Sequence, residues 1–291
     1  MPLSNTILSS DGKTSTSTTA GSSTGSYTIP RTLFSRLLKQ NRTKLVLRAL
    51  AAIIVGPSGV PGSSVDMTIQ LRDTMGVYRL GPGSEIPFDA EKYSGFNVKP
   101  IKYGVRVDIP KEFEEDSNWG MLQLNTDTAA YQIADNEESL IISTLDTGSG
   151  ETGGTRVANS NASLGPSDII AGFKGIREEN YNPTHLLIGA ECESDLYLVD
   201  TFIEADKIGI SDPSKRLIGK IYGMKVIMSN NISAKYAYVL DKQHAFMLVE
   251  KRPVTIEKYK APERDSRGFV ATQRIAARYI HPGAISRIIT V

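Results

Sequence analysis

Two stretches of the chain alternate strictly between apolar and polar side chains. In the first, Met67, Ile69 and Leu71 alternate with Asp66, Thr68, Gln70 and Arg72. In the second, Ile101, Tyr103, Val105, Val107 and Ile109 alternate with Lys102, Gly104, Arg106 and Asp108. A period of two puts each apolar set on one face, so both runs predict half-buried strands. Residues 73–97 between them are rich in glycine, proline and charge. A loop of that length without structure is uncommon inside a compact domain and usually has a function. The simplest solution is a long two-stranded arm, with these runs as its strands, projecting from the body.

Over residues 117–145 the period becomes helical. Leu122, Ala129, Ile133, Leu140 or Ile141, and Leu145 recur at steps of four and seven, with Asp127, Asp135, Glu137 and Glu138 placed off the stripe. Asp116 or Ser117 can cap the start. At about 1.5 Å per residue this is one helix about 40 Å long. An earlier helix is predicted from Pro30, with Leu33, Phe34, Leu37 and Leu38 as its apolar stripe. Gly56-Pro57 and Pro61-Gly62 then break the chain. Pro166-Ser167-Asp168 opens another helix carrying Ile169, Ile170, Phe173 and Ile176, and the spacing of Cys192, Leu196, Val199 and Ile203 marks a further one. Strands are predicted over residues 184–188, 224–228, 237–240, 245–249, 254–259 and 269–280. With no repeat period, this mixture reads as α+β.

Residues 1–28 are mostly Ser, Thr and Gly, with Asp11 and Lys13 the only charges. Such a segment cannot bury enough apolar surface to offset its ordering entropy, so an ordered arm needs neighbours to hold it. The whole chain carries 33 basic and 32 acidic residues, a net charge of +1, which gives no general attraction to nucleic acid. No apolar run approaches the ~20 residues that cross a bilayer; the longest, residues 45–55, is interrupted by Arg48. The N-terminus lacks the pattern of a secretory signal. Cys192 is the only cysteine, which rules out an internal disulfide and a cysteine-rich metal site and suits folding in the cytosol.

Residues 139–154 suggest chemistry twice. Asp146-Thr147-Gly148-Ser149 resembles the loop of an aspartic protease, and Gly148-x-Gly150-x-x-Gly153 has the glycine spacing of a dinucleotide-binding loop. A pepsin-like site needs two such aspartates sharing a proton, and the chain has one such loop, following a helix instead of a strand. A dinucleotide fingerprint must follow a strand and open a helix, and the polar stretch after Gly150 opens none. The glycines are better explained as the end of the long helix, where positive φ is wanted. His185, His244 and His281 are far apart and lack metal-ligand spacing. Cys192 shares an apolar stripe, so it reads as a core thiol. The charged clusters at residues 111–116 and 263–267 have mixed sign and read as solvated faces. No catalytic, cofactor-binding or metal site is predicted, and the chain is not expected to be an enzyme.

The order of elements resembles the major capsid protein of tailed phages, the Hong Kong 97 fold. Ile29-Pro30 is similar to the family's "I/V-P" entry after an N-terminal arm, and Gly83-Ser84-Glu85-Ile86-Pro87 to its "G-E-x-I-P" loop. The stretch from Val105 to Ser117 resembles "V-P-x-S-x-E-L-L-E-D-S" before the spine helix. Asp135-Asn136-Glu137-Glu138-Ser139-Leu140, with Gly148 and Gly150, resembles the spine's end. Arg278-Tyr279-Ile280-His281-Pro282-Gly283-Ala284-Ile285 resembles the last strand and its "P-x-A-F" turn.

The resemblance implies an α+β capsid fold: an N-terminal arm at 1–50, an extended loop and its base at 51–109, a peripheral domain at 110–145 and 251–291, and an axial domain at 146–250. It implies that Asp73, Arg79, Glu85, Asp89, Glu91 and Lys92 in the extended loop meet a neighbouring subunit, and that Asp146, Gly148 and Gly150 form the hinge between spine and axial domain. The expected partners are other copies of the chain, as hexamers and pentamers of an icosahedral shell, with separate scaffolding, portal and decoration proteins. The shell would enclose double-stranded DNA without reading its sequence, inside a virion assembled in the host cytoplasm, with no membrane and no cofactor. An encapsulin-like compartment holding a cargo enzyme is the alternative, disfavoured by the Ser/Thr-rich start where encapsulins have a helix. The namesake's Lys–Asn cross-link looks inaccessible, because the last asparagine is Asn231, ahead of the expected peripheral strands. No charged helical scaffolding segment precedes Ile29, so a separate scaffold is expected.

Overall fold

The computed structural model describes residues 46–60, 62–70, 76–90, 92–115, 121–159, 163–198 and 219–290. The predicted helix after Pro30, and most of the expected N-terminal arm, lie outside them. Three sheets organise the rest. A four-stranded sheet has the order β1 (Ile53–Val55), β10 (Phe246–Ala261), β11 (Ser266–Tyr279), β4 (Ile101–Pro110). A six-stranded sheet has the order β5 (Thr155–Asn159), β12 (Ile285–Thr290), β9 (Tyr236–Leu240), β6 (His185–Ile188), β8 (Met224–Met228), β7 (Lys220–Ile221). The third is a two-stranded ribbon of β2 (Val65–Gln70) and β3 (Tyr93–Val98).

The ribbon departs from expectation in one strand. β2 forms as its alternation predicts, but it pairs with Tyr93–Val98, and the Ile101–Ile109 run leaves the ribbon for β11. The reason is burial. Tyr103, Val105, Val107 and Ile109 turn inward toward the long helix, and a free ribbon would have left that face in water. The ribbon's base is covered too: Val65, Met67, Ile69, Phe96 and Val98 of the ribbon pack with Met247 and Val249 of the four-stranded sheet and with Ile280 just past β11.

β10 and β11 make a long antiparallel hairpin. Two stretches expected as separate strands, 245–249 and 254–259, are one strand whose register shifts between Glu250 and Thr255. Pro253 lies in the shifted segment, where a residue that cannot donate to the ladder is tolerated. Thr155–Asn159 also forms a strand, although its polar flanks predict none; parallel pairing with β12 supplies the ladder.

The long helix, α2 (Met121–Gly150), follows the short α1 (Lys111–Glu115) and has 30 residues, about 45 Å. Its stripe, including Ala129, Ile133, Ile141 and Leu145, is buried against both larger sheets. Around Ile141 and Leu145 lie Leu47, Leu50, Leu187, Tyr238, Leu240, Phe246, Leu248, Ile275 and Ile285. Burying each such side chain contributes about 1.5–3 kcal/mol. A second core lies where α3 (Pro166–Glu178) and α4 (Ala190–Leu198) cover the six-stranded sheet, with Ile169, Ile176, Leu186, Cys192, Leu196 and Val239 at its centre. Val199 and Ile203, expected to extend α4, lie outside the described residues.

Two expectations for α2 are corrected. Glu137 and Glu138, expected off the stripe, are 6% and 3% exposed. The helix also does not stop at Leu145, so Asp146, Gly148 and Gly150 belong to its last turns. Gly148 serves close packing instead of positive φ: a Cβ there would lie 2.9 Å from Ile285 Cδ1 and 3.0 Å from Tyr279 Cβ. The left-handed residue is Gly153, at φ +91°, in the turn that leads to β5.

Candidate inter-subunit surfaces

Beyond the ribbon's base, residues 76–90 carry little regular structure and much exposed apolar surface. Val77, Ile86 and Phe88 are the most exposed, with Tyr78, Leu80 and Tyr93 beside them. An exposed apolar set of this kind marks an interaction site. One device braces the loop. Asp89 Oδ2 accepts hydrogen bonds from the Gly76 N–H and the Tyr78 hydroxyl, each at 2.8 Å. The Gly76 N–H and then the Tyr78 hydroxyl hold the Asp89 carboxyl below its ordinary range, and the bond to Asp89 raises Tyr78 above its own. Of the six loop residues singled out, Asp89 has this bracing role. Arg79 and Glu85 are exposed along the loop, Lys92 stands beside the ribbon, and Asp73 and Glu91 lie outside the described residues.

Midway along α2 two buried carboxylates, Glu137 and Glu138, anchor an ionic cluster that the sequence reading missed. Arg48 Nη1 meets both Glu137 oxygens at 3.0 Å, and its Nη2 pairs with Glu250. Gln273 Nε2 donates to Glu137 at 3.0 Å. Glu138 accepts from the backbone N–H groups of Val46 and Leu47, the latter at 3.0 Å, and from the Ser229 hydroxyl at 2.9 Å. Four parts of the fold therefore meet on two adjacent carboxylates: the chain at 46–48, α2, the β10–β11 hairpin and the turn after β8. The signal was present. Glu137 lies four residues from both Ile133 and Ile141, on the buried stripe, and Arg48 interrupts an apolar run.

In the last turns of α2, Asp146 pairs with Arg287 of β12, and Arg156 Nη2 donates to the Asp146 carbonyl at 3.1 Å. The carboxylate of the protease-like motif is thus held by a guanidinium. Cys192 is buried and pushed up to about 11, chiefly by desolvation, which describes a packed thiol. Folding does bring two distant histidines together: the rings of His244 and His281 stand 6.1 Å apart with Tyr181 against both, and His244 Nδ1 lies 2.8 Å from Asp241 Oδ2. No group of three or more His, Cys, Asp or Glu side chains among the described residues is placed to hold a metal.

The family model described as "Phage capsid protein" matches residues 95–287. The fold is similar to the capsid of cyanophage P-SCSP1u, with a TM-score of 0.75 and 14% identity over 90% of this chain and 93% of that one. It is similar to a protein of Mycobacterium phage Che8, with a TM-score of 0.72 and 17% identity over 89% and 96%. It is also similar to the capsid of a native GTA particle, with a TM-score of 0.68 and 12% identity over 92% and 97%. No curated protein matches the chain. The chain belongs to the phage capsid protein family, as a major capsid protein of the Hong Kong 97 fold.

Proposed function

We propose that copies of this chain form hexamers and pentamers of a closed icosahedral shell around double-stranded DNA, with the ribbon and its loop as the extended loop that clamps a neighbouring subunit. The observation that carries this reading is the loop itself. Val77, Ile86 and Phe88 project with almost no cover from their own chain, and a two-stranded ribbon is marginal in water unless one face is laid on something. Arg79, Glu85 and Lys92, with Asp73 and Glu91, form a mixed-sign set suited to orienting that contact.

The four-stranded sheet with α2 is the peripheral unit, and the six-stranded sheet with α3 and α4, taking in β12, is the axial unit. The last turns of α2 at Asp146, Gly148 and Gly150, with the turn that follows, are the joint between them. Scaffolding, portal and decoration proteins are separate partners, and assembly takes place in the host cytoplasm. The chain acts as a building unit without catalysis, in keeping with the neutralised Asp146.

Replacing residues 73–92 with a short Gly-Ser turn tests the reading. Folded subunits that no longer close into shells by electron microscopy are expected; normal particles would refute the clamp. Nuclease-protected DNA inside wild-type particles separates a virion from a cargo-enzyme compartment.

A further inference from the structure

The four-stranded sheet carries a row of like charges that no carboxylate among the described residues neutralises. The register places Arg252 of β10 opposite Arg274 of β11, and Arg274 opposite Lys102 of β4. Residues directly opposite across antiparallel strands are about 5 Å apart, so three cations cross about 10 Å of one face. That face is the one turned away from α2, because Gln273 and Ile275, the neighbours of Arg274, point into the helix side. Like charges in direct opposition oppose sheet formation unless an anion lies over them.

The partners of these side chains are neutral. Arg252 Nη2 donates to the Thr272 hydroxyl at 2.8 Å and Arg274 Nη2 to the Pro100 carbonyl at 3.4 Å. Arg252 Nε is buried without a hydrogen-bond partner. Among the described residues no carboxylate pairs with Lys102, Arg252 or Arg274. Arg106, farther along β4 on the same face, makes the contrast: it has Asp108 at 2.9 Å and the Tyr259 hydroxyl. The ground beside the row is flat. Gly104 lies against Thr272, where a Cβ would come within 3.0 Å of the threonine methyl, and the ribbon base closes the opposite side.

We propose that this row receives an acidic segment of a second copy of the chain, the loop around Glu85. The assignment rests on the shell reading above and adds the receiving surface to it. Charge and shape choose the occupant. Glu85 is exposed, has no hydrogen bond or ion pair with another described residue, and is followed by Ile86 and Phe88, which also lack cover. Asp89 is not the contact, since its carboxylate is already engaged by Gly76 and Tyr78. Three cations in a line, with the flat ground of Gly104 and Thr272 beside them, suit an extended segment that offers a carboxylate.

A charge swap on two exposed residues tests the pairing without touching the core. Glu85→Lys should leave the thermal unfolding of the subunit unchanged, Lys102→Glu should raise it slightly because it sets a carboxylate opposite Arg274, and each should raise the concentration needed for shell formation, read by light scattering, by about fivefold or more. The double variant should return to within about twofold of wild type. Single variants that assemble like wild type, or a double variant no better than the product of the singles, would overturn the proposal. So would a loss confined to DNA retention, which would assign the row to phosphate. Wild-type protein that forms no shells would remove the shell reading itself, whereas wild-type shells with uncoupled variants would remove only this contact.

Discussion

Glu138 offers the sharpest test of how the start of the described chain is fixed to the spine helix. Its carboxylate accepts the Val46 and Leu47 N–H groups on one oxygen and the Ser229 hydroxyl on the other. Glu138→Ala removes all three acceptors and opens a space the size of the lost carboxylate. The Leu47 N–H is fully buried and cannot turn to water, so its loss costs the full desolvation of a donor, about 1–3 kcal/mol. Val46 is half-buried and the Ser229 hydroxyl can rotate, so together they add about 1–2 kcal/mol. The expected destabilisation is about 2–5 kcal/mol. Glu138→Gln keeps a carbonyl for the two N–H groups and turns an amide toward Ser229, so it loses only the charge assistance, about 1 kcal/mol. Urea unfolding of the two variants reads the difference, with limited proteolysis ahead of Leu47 as a local reporter. Equal midpoints for the two variants, or an alanine variant within about 1 kcal/mol of wild type, would refute the anchoring role of Glu138.

Gly148→Ala should lower the melting temperature even though alanine is the better helix former by about 1 kcal/mol, because the new methyl meets Ile285 and Tyr279; a rise would show that the contact relaxes freely. Cys192, with its thiol raised to about 11 by burial, should resist alkylation at neutral pH until the chain is denatured, and rapid labelling of the native protein would contradict the packed core around α4. The Asp89 clasp should respond to pH with a definite sign. The carboxyl is depressed in the folded loop, so its contribution is present above the ordinary carboxylate value and is lost as pH falls through the lowered one. The Tyr78 hydroxyl is raised, so its contribution is present below the ordinary tyrosine value and lost as pH rises through the higher one. Tyrosine absorbance compared with an Asp89→Asn variant checks this, and identical titration of Tyr78 in both would dismiss the clasp.

Periodicity by itself determined the elements whose neighbours matter least to their pattern. The alternation at 65–70 and 101–110 and the helical stripe through Ala129, Ile133, Ile141 and Leu145 each state a period and a buried face, which are local properties of the chain. The resemblance in the order of elements was likewise open to reading, and the family match over residues 95–287 bears out the family. Pairing was not. That β2 takes Tyr93–Val98 as its partner, that β5 and β12 run side by side, and that 245–261 is a single strand depend on which faces the long helix covers. Only tertiary packing decides that. The same holds for charge. In sequence, Glu137 and Glu138 are two acids on a polar helix, and Arg48 is a break in an apolar run. Carboxylates tolerate burial only when donors from elsewhere surround them, and those donors come from positions 46–48, 229 and 273, far along the chain. The end of α2 follows the same logic: Gly148 and Gly150 have the composition of a helix stop, yet Arg287 and the side chains of β11 and β12 hold the helix through them.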